Sequence, residues 1–462
     1  MPQTQRFDVV IIGSGQAAGP LATAFASAGR STALLEREHV GGTCINEGCT
    51  PTKTMVASGR VAYLARRSMD YGVNCGPISI DMPRVRQRKR DIVDLFRNGS
   101  QRRIQSGAVE LIFGAASFSG PESVQVRRDG GEPLEIEADT IVVNVGARPT
   151  RPPLDGLADV PSLDSTTIME LDQVPERLLV LGGGYVGLEF GHLFRRLGSQ
   201  VTIVQRGPQL LGREDPDIAD EVANVMREDG IEVLLKTEAL RVRRAGDALQ
   251  LDAKMEDGER TLVGSHLLVA IGRTPNSDTL NLSAAGIEVD RRGFIAVDER
   301  LATNVPGVYA VGDVKAGPAF THISYDDFRI LRTNLIEGGS ATTTDRLVPY
   351  TVYVDPQLGR VGLTEQEARA QGRKVLVAKM PMSQVARALE VDESRGLIKV
   401  VVDAASGQVL GCAVLGIEGG EIMSMLEIAM MGGLPYTALR DAIFAHPTLA
   451  ECLNNLFASL EP

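Results

Sequence analysis

Phe7-Asp8-Val9-Val10-Ile11-Ile12-Gly13-Ser14-Gly15-Gln16-Ala17-Ala18-Gly19 runs from an apolar stretch through a glycine-rich turn into a helical segment that reaches Ala28. Strand, turn and helix in that order are the context a dinucleotide fingerprint needs. Gly13 and Gly15 permit a tight turn and let backbone N–H groups approach a pyrophosphate, which the helix N-terminus also attracts. Ala18 stands where a third glycine is usual, a small residue that the pattern tolerates. A second strand, Ser31 to Leu35, ends in Glu36, placed to accept hydrogen bonds from a ribose. The reading is an α/β fold.

The same signal recurs. Arg177 to Leu181 meets Gly182-Gly183-Gly184-Tyr185-Val186-Gly187 and a further helix. Gly182, Gly184 and Gly187 hold the three glycine positions, and two such units imply two dinucleotides. The following strand, Gln200 to Val204, ends in Gln205-Arg206, where an NAD-selective site usually carries an acid. Arg206 and Arg213 could neutralise a 2′-phosphate, which favours NADPH over NADH. This part of the chain closes with Leu267 to Ile271 running into Gly272, again a strand meeting a glycine.

Between the two units stands Gly41-Gly42-Thr43-Cys44-Ile45-Asn46-Glu47-Gly48-Cys49-Thr50-Pro51-Thr52-Lys53. Two cysteines with four residues between them, followed by a proline and a helix-forming run, can close a small disulfide at a helix entrance. A loop this short contributes only about 2 kcal/mol in the entropic account, and a chain of 462 residues buries a core without it. A helix N-terminus lowers a nearby thiol's pKa and makes thiolate available near neutral pH. Reversible thiol–disulfide chemistry requires that.

With the two fingerprints, this segment resembles the FAD-dependent pyridine nucleotide-disulfide oxidoreductases, a family that includes glutathione reductase, dihydrolipoamide dehydrogenase and mercuric reductase. The resemblance covers essentially the whole chain. It implies two Rossmann-like dinucleotide-binding domains plus a C-terminal α+β dimerisation domain: an FAD-binding domain over 1–150 and 277–345, an NAD(P)H-binding domain over 151–276, and a dimerisation domain over 346–462. Cys44 would be the thiol that exchanges with substrate and Cys49 the thiol on the flavin side, with Gly42, Thr43 and Lys53 beside the cofactor. Glu189 would pair with Lys53, and a buried lysine needs such a partner. Tyr185 would cover the nicotinamide pocket.

Further stretches extend the match. Glu110 to Phe118 reads as a strand that would bring the backbone near Ala116 to the flavin's adenine. Thr140 to Val145 leads into Gly146-Ala147-Arg148-Pro149, the crossing to the second domain. Thr303 to Gly312 leads to Asp313, which would hold the ribitol of FAD. Phe320-Thr321-His322-Ile323-Ser324 precedes a helix whose N-terminus would favour negative charge on the reduced ring. Strand-like runs at Val352 to Val354, Val375 to Met380 and Leu397 to Val402 open the dimerisation domain. Near its end is Phe444-Ala445-His446-Pro447-Thr448-Leu449-Ala450-Glu451. A histidine held by a carboxylate is a general acid–base unit. By resemblance His446 and Glu451 reach the partner subunit's cysteines, so the active site is shared and a homodimer is required. The implied relay runs from NAD(P)H through FAD and Cys49 to Cys44 and then to a small disulfide substrate.

Gly433-Leu434-Pro435-Tyr436, Leu439-Arg440-Asp441 and the run from Phe320 look most like the mercuric-reductase-like group that includes the reactive-chlorine-resistance flavoproteins, associated with oxidant defence and metal-ion reduction. A metal-ion reductase acting on Hg(II) or Cu(II) is therefore an alternative, although the end Phe457 to Pro462 lacks the cysteine pair of mercuric reductase proper. Dihydrolipoamide dehydrogenase is another, set against Gln205. A redox-sensing flavoprotein without turnover is a third, with the basic helix as its interaction surface. That helix, about 82–106, carries Arg84, Arg86, Arg88, Lys89, Arg90, Arg97, Arg102 and Arg103, read here as a solvated face. Cys75, Cys412 and Cys452 read as buried bystanders, and no resident metal is expected. The net charge of −11 does not recommend nucleic acid. No apolar run approaches the length of a membrane span. With five cysteines, only one close pair among them, and no signal-peptide layout at the start, a cytoplasmic setting is expected.

Overall fold

A computed structural model of the protein describes residues 4–128 and 130–460. The chain divides into two compact units, one of 1–54, 84–150 and 272–346, the other of 55–83, 151–271 and 347–462.

In the first unit, strand Thr4–Ile12 is buried from Val9 onward. It pairs in parallel with Thr32–Glu36 on one side and Leu134–Val143 on the other. Glu110–Phe113 extends the sheet beyond Thr32–Glu36, and Val308–Ala310 adds to Leu134–Val143, both in parallel. Such strands are buried on both faces, so they read as continuous apolar runs rather than alternating ones. Ser123–Arg127 and Ala115–Gly120 complete the sheet in antiparallel fashion. Two cores flank it. One holds Val10, Ile12, Phe118 and Ile136, the other Val9, Ile11, Leu21 and Phe25 from helix Ala18–Ser27.

The sequence reads one strand over Glu110 to Phe118, and the structure corrects this to two. Gly114 separates them with φ +157°, where a Cβ would lie 2.6 Å from Val126 Cγ1. The chain changes sheet partner at that glycine. The run from Phe320 also differs: Thr321 is already the first residue of helix Thr321–Leu335.

In the second unit, Arg177–Leu181, Gln200–Val204, Glu232–Leu234 and His266–Val269 form a four-stranded parallel sheet. Glu238–Ala245, Ala248–Met255 and Gly258–Gly264 make an antiparallel meander. A five-stranded antiparallel sheet follows, with strand Tyr350–Val352 in place of the run expected at Val352 to Val354. Helices Gly419–Met431 and Cys452–Ala458 pack Ile422, Leu426, Leu453 and Phe457 into its core. Among the described residues no helix is long and apolar enough to cross a membrane.

Candidate active site

The first glycine turn is tightly enclosed. Gly13 has φ +92°, and a Cβ there would fall 2.6 Å from the backbone oxygen of Asn144. Gly42 has φ +62°, with Gly15 Cα 2.7 Å from where its Cβ would be. Ala18, fully buried, opens the helix. The Glu36 carboxylate turns back over the turn, accepting from the Ser14 N–H at 3.0 Å and from the Ser14 hydroxyl.

The cysteine segment is fastened to that turn. Gly41 N–H donates to Ser14 Oγ (3.1 Å), and Gln16 Nε2 donates to Gly41 O (3.0 Å). Cys44 lies in the short helix Gly42–Asn46, and Cys49 is the first residue of helix Cys49–Arg66. Gly48 bridges them where a Cβ would meet Thr43 O at 2.9 Å. Asn46 Nδ2 donates to Gly42 O (2.9 Å) and Val40 O (3.1 Å), while Arg97 Nε donates to Asn46 Oδ1 (2.8 Å). Asn46 and Arg97 thus hold the segment, and the sequence reading missed both. Arg97 belongs to the basic helix Met82–Gln105, which is not uniformly solvated: Arg97 is half-buried and Lys89 buried, whereas Arg84, Arg88, Arg90, Arg102 and Arg103 are exposed.

Cys44 is half-buried and Cys49 exposed. Cys49 Sγ lies 3.5 Å from Thr321 Oγ1. The hydrogen bond between Cys44 and Cys49, then burial and the charge of Cys49, push the Cys44 thiol well above the ordinary cysteine range, against the opposing pull of Thr321 and Lys53. Cys49 stands at the N-terminus of an 18-residue helix, a place that favours a thiolate.

Gly312 has φ +69°, and its N–H donates to Asp327 Oδ2 at 2.9 Å. Asp327 is fully buried and ion-paired to Lys315 (3.2 Å) and Arg346 (2.8 Å). Burial pushes the Asp313 carboxyl up, offset by Arg273 and Lys315. Ala116 pairs with Val126, Gly146 turns the chain with φ +65°, and Gly272 has φ +139°. The exposed His322 ring stacks on Phe320, with centroids 5.4 Å apart.

In the second unit, Gly182 has φ +111° and would place a Cβ 2.4 Å from Ala270 O. At Gly187 a Cβ would lie 2.1 Å from Gly182 O, so no methyl fits. Gly184 precedes Tyr185, which opens helix Tyr185–Leu197 half-exposed at the surface. Glu189 is 4% exposed and accepts from the Tyr353 N–H at 2.9 Å. Lys53 belongs to the first unit and Glu189 to the second. Gln205 Oε1 accepts from the Gly183 N–H at 3.0 Å, repeating the place of Glu36 against Ser14 with a neutral group. Arg206 and Arg213 are exposed.

His446 Nδ1 lies 2.8 and 3.1 Å from the two carboxylate oxygens of Glu451. With Nδ1–H donating there, Nε2 is the ring nitrogen that Glu451 does not hold. Cys412 and Cys452 are buried, and burial pushes each thiol up to about 12. Cys75 is exposed, a correction to the buried position expected for it. Among the described residues no group of three or more histidines, cysteines and acids stands together as a metal site.

Comparisons with known proteins agree over nearly the full length. The profile of the family described as pyridine nucleotide-disulphide oxidoreductase matches residues 7–327, and that of its dimerisation domain matches 348–457. The probable pyridine nucleotide-disulfide oxidoreductase RclA of Escherichia coli (strain K12) is 38% identical over 458 residues, covering 98% of this chain and 99% of its own. A mercuric reductase of Bacillus cereus is 35% identical over 448 residues, covering 97% of this chain and 70% of that protein. The solved Cu(II) complex of the HOCl-induced flavoprotein disulfide reductase RclA from Escherichia coli superposes with a TM-score of 0.91 at 36% identity, covering 99% of this chain and 100% of that one.

Proposed function

The chain belongs to the pyridine nucleotide-disulphide oxidoreductase family, and from that membership we propose that it carries electrons from NADPH, by way of FAD and the Cys44–Cys49 couple, to a small disulfide. The observation that carries this reading is the pair itself: two thiols in hydrogen-bond contact, one of them the first residue of a long helix. The family is an FAD-dependent one that uses a pyridine nucleotide, and the first turn fits FAD. Gly13 and Gly42 pack against backbone where no Cβ fits, the tight turn that a pyrophosphate site requires, and Glu36 already lies over it. Gly13, Gly15, Ala18, Glu36, Gly42, Thr43, Lys53, Ala116, Gly146, Gly312, Asp313 and Thr321 would hold FAD. Gly182, Gly184, Tyr185, Gly187, Glu189, Arg206, Arg213 and Gly272 would serve the nicotinamide nucleotide. The matching domain assignment is 1–150 with 277–345, then 151–276, then 346–462.

Bound there, FAD would supply the two-electron exchange that returns the Cys44–Cys49 disulfide to two thiols. The remaining steps belong to the chain. Cys44 thiolate attacks one sulfur of the substrate disulfide, forming a mixed disulfide and releasing a thiolate that takes a proton. Cys49 thiolate then attacks Cys44 Sγ, closing the Cys44–Cys49 bond and releasing the second half of the substrate as a thiolate, which takes its proton from water. His446 of the partner subunit takes the proton from Cys44 and returns it to the leaving thiolate, while Glu451 fixes its tautomer through Nδ1. Gln205 and the two arginines support NADPH over NADH, and a reducing, cytoplasmic compartment suits a pair that must cycle between thiol and disulfide.

Purified protein assayed for NADPH and NADH oxidation against glutathione disulfide, lipoamide, aromatic disulfides, Hg(II) and Cu(II) tests the reading. Turnover with a disulfide is expected. Cys44→Ser should keep flavin bound and reducible while that turnover disappears; a Cys44→Ser variant that still turns over a disulfide removes the assigned role. Turnover confined to the metal ions, unchanged in His446→Ala, would favour a metal-ion reductase, the reading to which the Cu(II) complex of the solved relative gives weight.

A further inference from the structure

The stretch 205–215, which carries Arg206 and Arg213, is fastened at both ends. At one end it lies on the second glycine turn. Gln205 Oε1 accepts from the Gly183 N–H, and the Leu211 N–H donates to Gly183 O at 2.9 Å. Leu210 sits so close that a Cβ on Gly183 would fall 2.7 Å from its Cδ2. Within the stretch, Gln205 Nε2 donates to Gln209 O (3.1 Å), Gln209 Nε2 to Glu214 O (2.9 Å) and the Glu214 N–H to Leu211 O (2.8 Å). Leu211 has φ +45°, a conformation that such a circuit must hold in place.

The other end is buried among charges. Glu214 and Asp215 are each 4% exposed. Glu214 Oε2 lies 3.2 Å from Arg360 Nε, and Glu214 Oε1 accepts from the Tyr350 hydroxyl. Asp215 lies 2.9 Å from Lys399 Nζ and accepts from the N–H groups of Glu365 (2.9 Å) and Gln366 (3.1 Å) at the start of helix Glu365–Ala370. Two adjacent buried carboxylates, each with a basic partner, fix one peptide, and Arg213 is the residue before it. An arginine recognises a phosphate through directed hydrogen bonds, so its placement decides its contribution.

We propose that Glu214, held by Arg360 and Tyr350, is a positioning residue for coenzyme choice: it sets Arg213 and the stretch 205–215 against the 2′-phosphate of NADPH. This rests on the NADPH reading above. Glu214 touches no coenzyme. It acts through its neighbour.

The test compares Glu214→Gln, Tyr350→Phe and Arg213→Ala in the holoenzyme, each with NADPH and with NADH. Glu214→Gln removes the charge and Tyr350→Phe the hydroxyl with little change of size, so two independent variants guard against loss of fold. Both should raise KM for NADPH about fivefold to tenfold with kcat unchanged, and KM for NADH by less than about twofold. Arg213→Ala should raise KM for NADPH about tenfold or more, again sparing NADH. If Arg213→Ala removes the preference while Glu214→Gln and Tyr350→Phe leave KM for NADPH unchanged, or raise both KM values equally, the positioning role is wrong and the coenzyme reading stands. If the wild-type enzyme does not prefer NADPH, or Arg213→Ala leaves KM for NADPH unchanged, the coenzyme reading falls and the proposal with it.

Discussion

Five cysteines that look alike in the sequence occupy three chemical situations. Cys44 and Cys49 form a hydrogen-bonded pair, with Lys53 and Thr321 beside it. Burial pushes the Cys412 and Cys452 thiols up to about 12, so little of either is thiolate at pH 8. Cys75 is exposed. Native protein treated with iodoacetamide at pH 8 should therefore be modified at Cys75, while Cys412 and Cys452 react only after unfolding; peptide mass mapping reads the outcome, and native modification of Cys452 would contradict its burial. The sequence held the clue to Cys75, which stands in Gly72-Val73-Asn74-Cys75-Gly76, a stretch bounded by turn residues. The roles of Asn46 and Arg97 were less legible. Asn46 acts through hydrogen bonds to Val40 and Gly42 that depend on the left-handed turn at Gly41 and Gly42, and Arg97 reaches it from 51 positions away. No periodicity announces a contact of that kind.

Elements were legible where one signal dominated. Arg177–Leu181 and Gln200–Val204 have the bounds the apolar runs gave, because both are central parallel strands with glycines or polar residues at their ends. The two third-position residues explain a finer point: Ala18 is accommodated in the first turn, whereas Gly187 packs so close to Gly182 O that only glycine fits. What the sequence concealed is how helix Tyr185–Leu197 is secured. His192, 2% exposed, lies 2.5 Å from Asp229 Oδ2 through Nε2 and accepts from the Asp355 N–H through Nδ1 at 3.1 Å; Arg196 pairs with Asp229 (2.8 Å), as does Arg395 (2.9 Å). Burial lowers the pKa of His192 despite the Asp229 hydrogen bond, while Asp229, which burial alone would raise, is held at about 2 by His192 and the two arginines. The signs follow from proton uptake. Below about pH 6.5 the unfolded chain protonates its histidine and the folded one resists, so stability falls as pH drops. The Asp229 contribution is complete above about pH 3.9 and is lost as pH falls toward 2. Melting temperature measured from pH 8 to pH 5 should decline in the wild type and decline less in His192→Asn, from a lower starting value; parallel curves would show that His192 does not carry the dependence.

For the whole molecule, the α/β fold class is legible because two glycine turns carry it, but the surface that joins two copies is not. Helix Gly419–Met431 is apolar nearly throughout: Ile422, Met423, Leu426 and Ala429 are buried, whereas Ile428 and Met431 are 69% and 73% exposed. Ile443, three residues before His446, is fully exposed. All lie within the stretch matched by the dimerisation-domain profile, and large exposed apolar side chains mark an interaction surface. A helix this apolar is readable as buried, and only the structure divides what its own domain buries from what is left for a second copy. A shared site makes a quantitative demand on that dimer. Coexpressed chains carrying Cys44→Ser and His446→Ala form two parental homodimers and one mixed dimer. In the mixed dimer, the cysteines of the His446→Ala chain face the intact His446 of its partner, and the other site has lost both residues. Random pairing makes about half of the dimers mixed, each with one of two sites working, so about a quarter of wild-type disulfide turnover is expected where each parent alone shows almost none. A site built within one chain predicts the opposite, since every chain then carries one lesion in its own site, and turnover of the mixture would not rise above that of the parents.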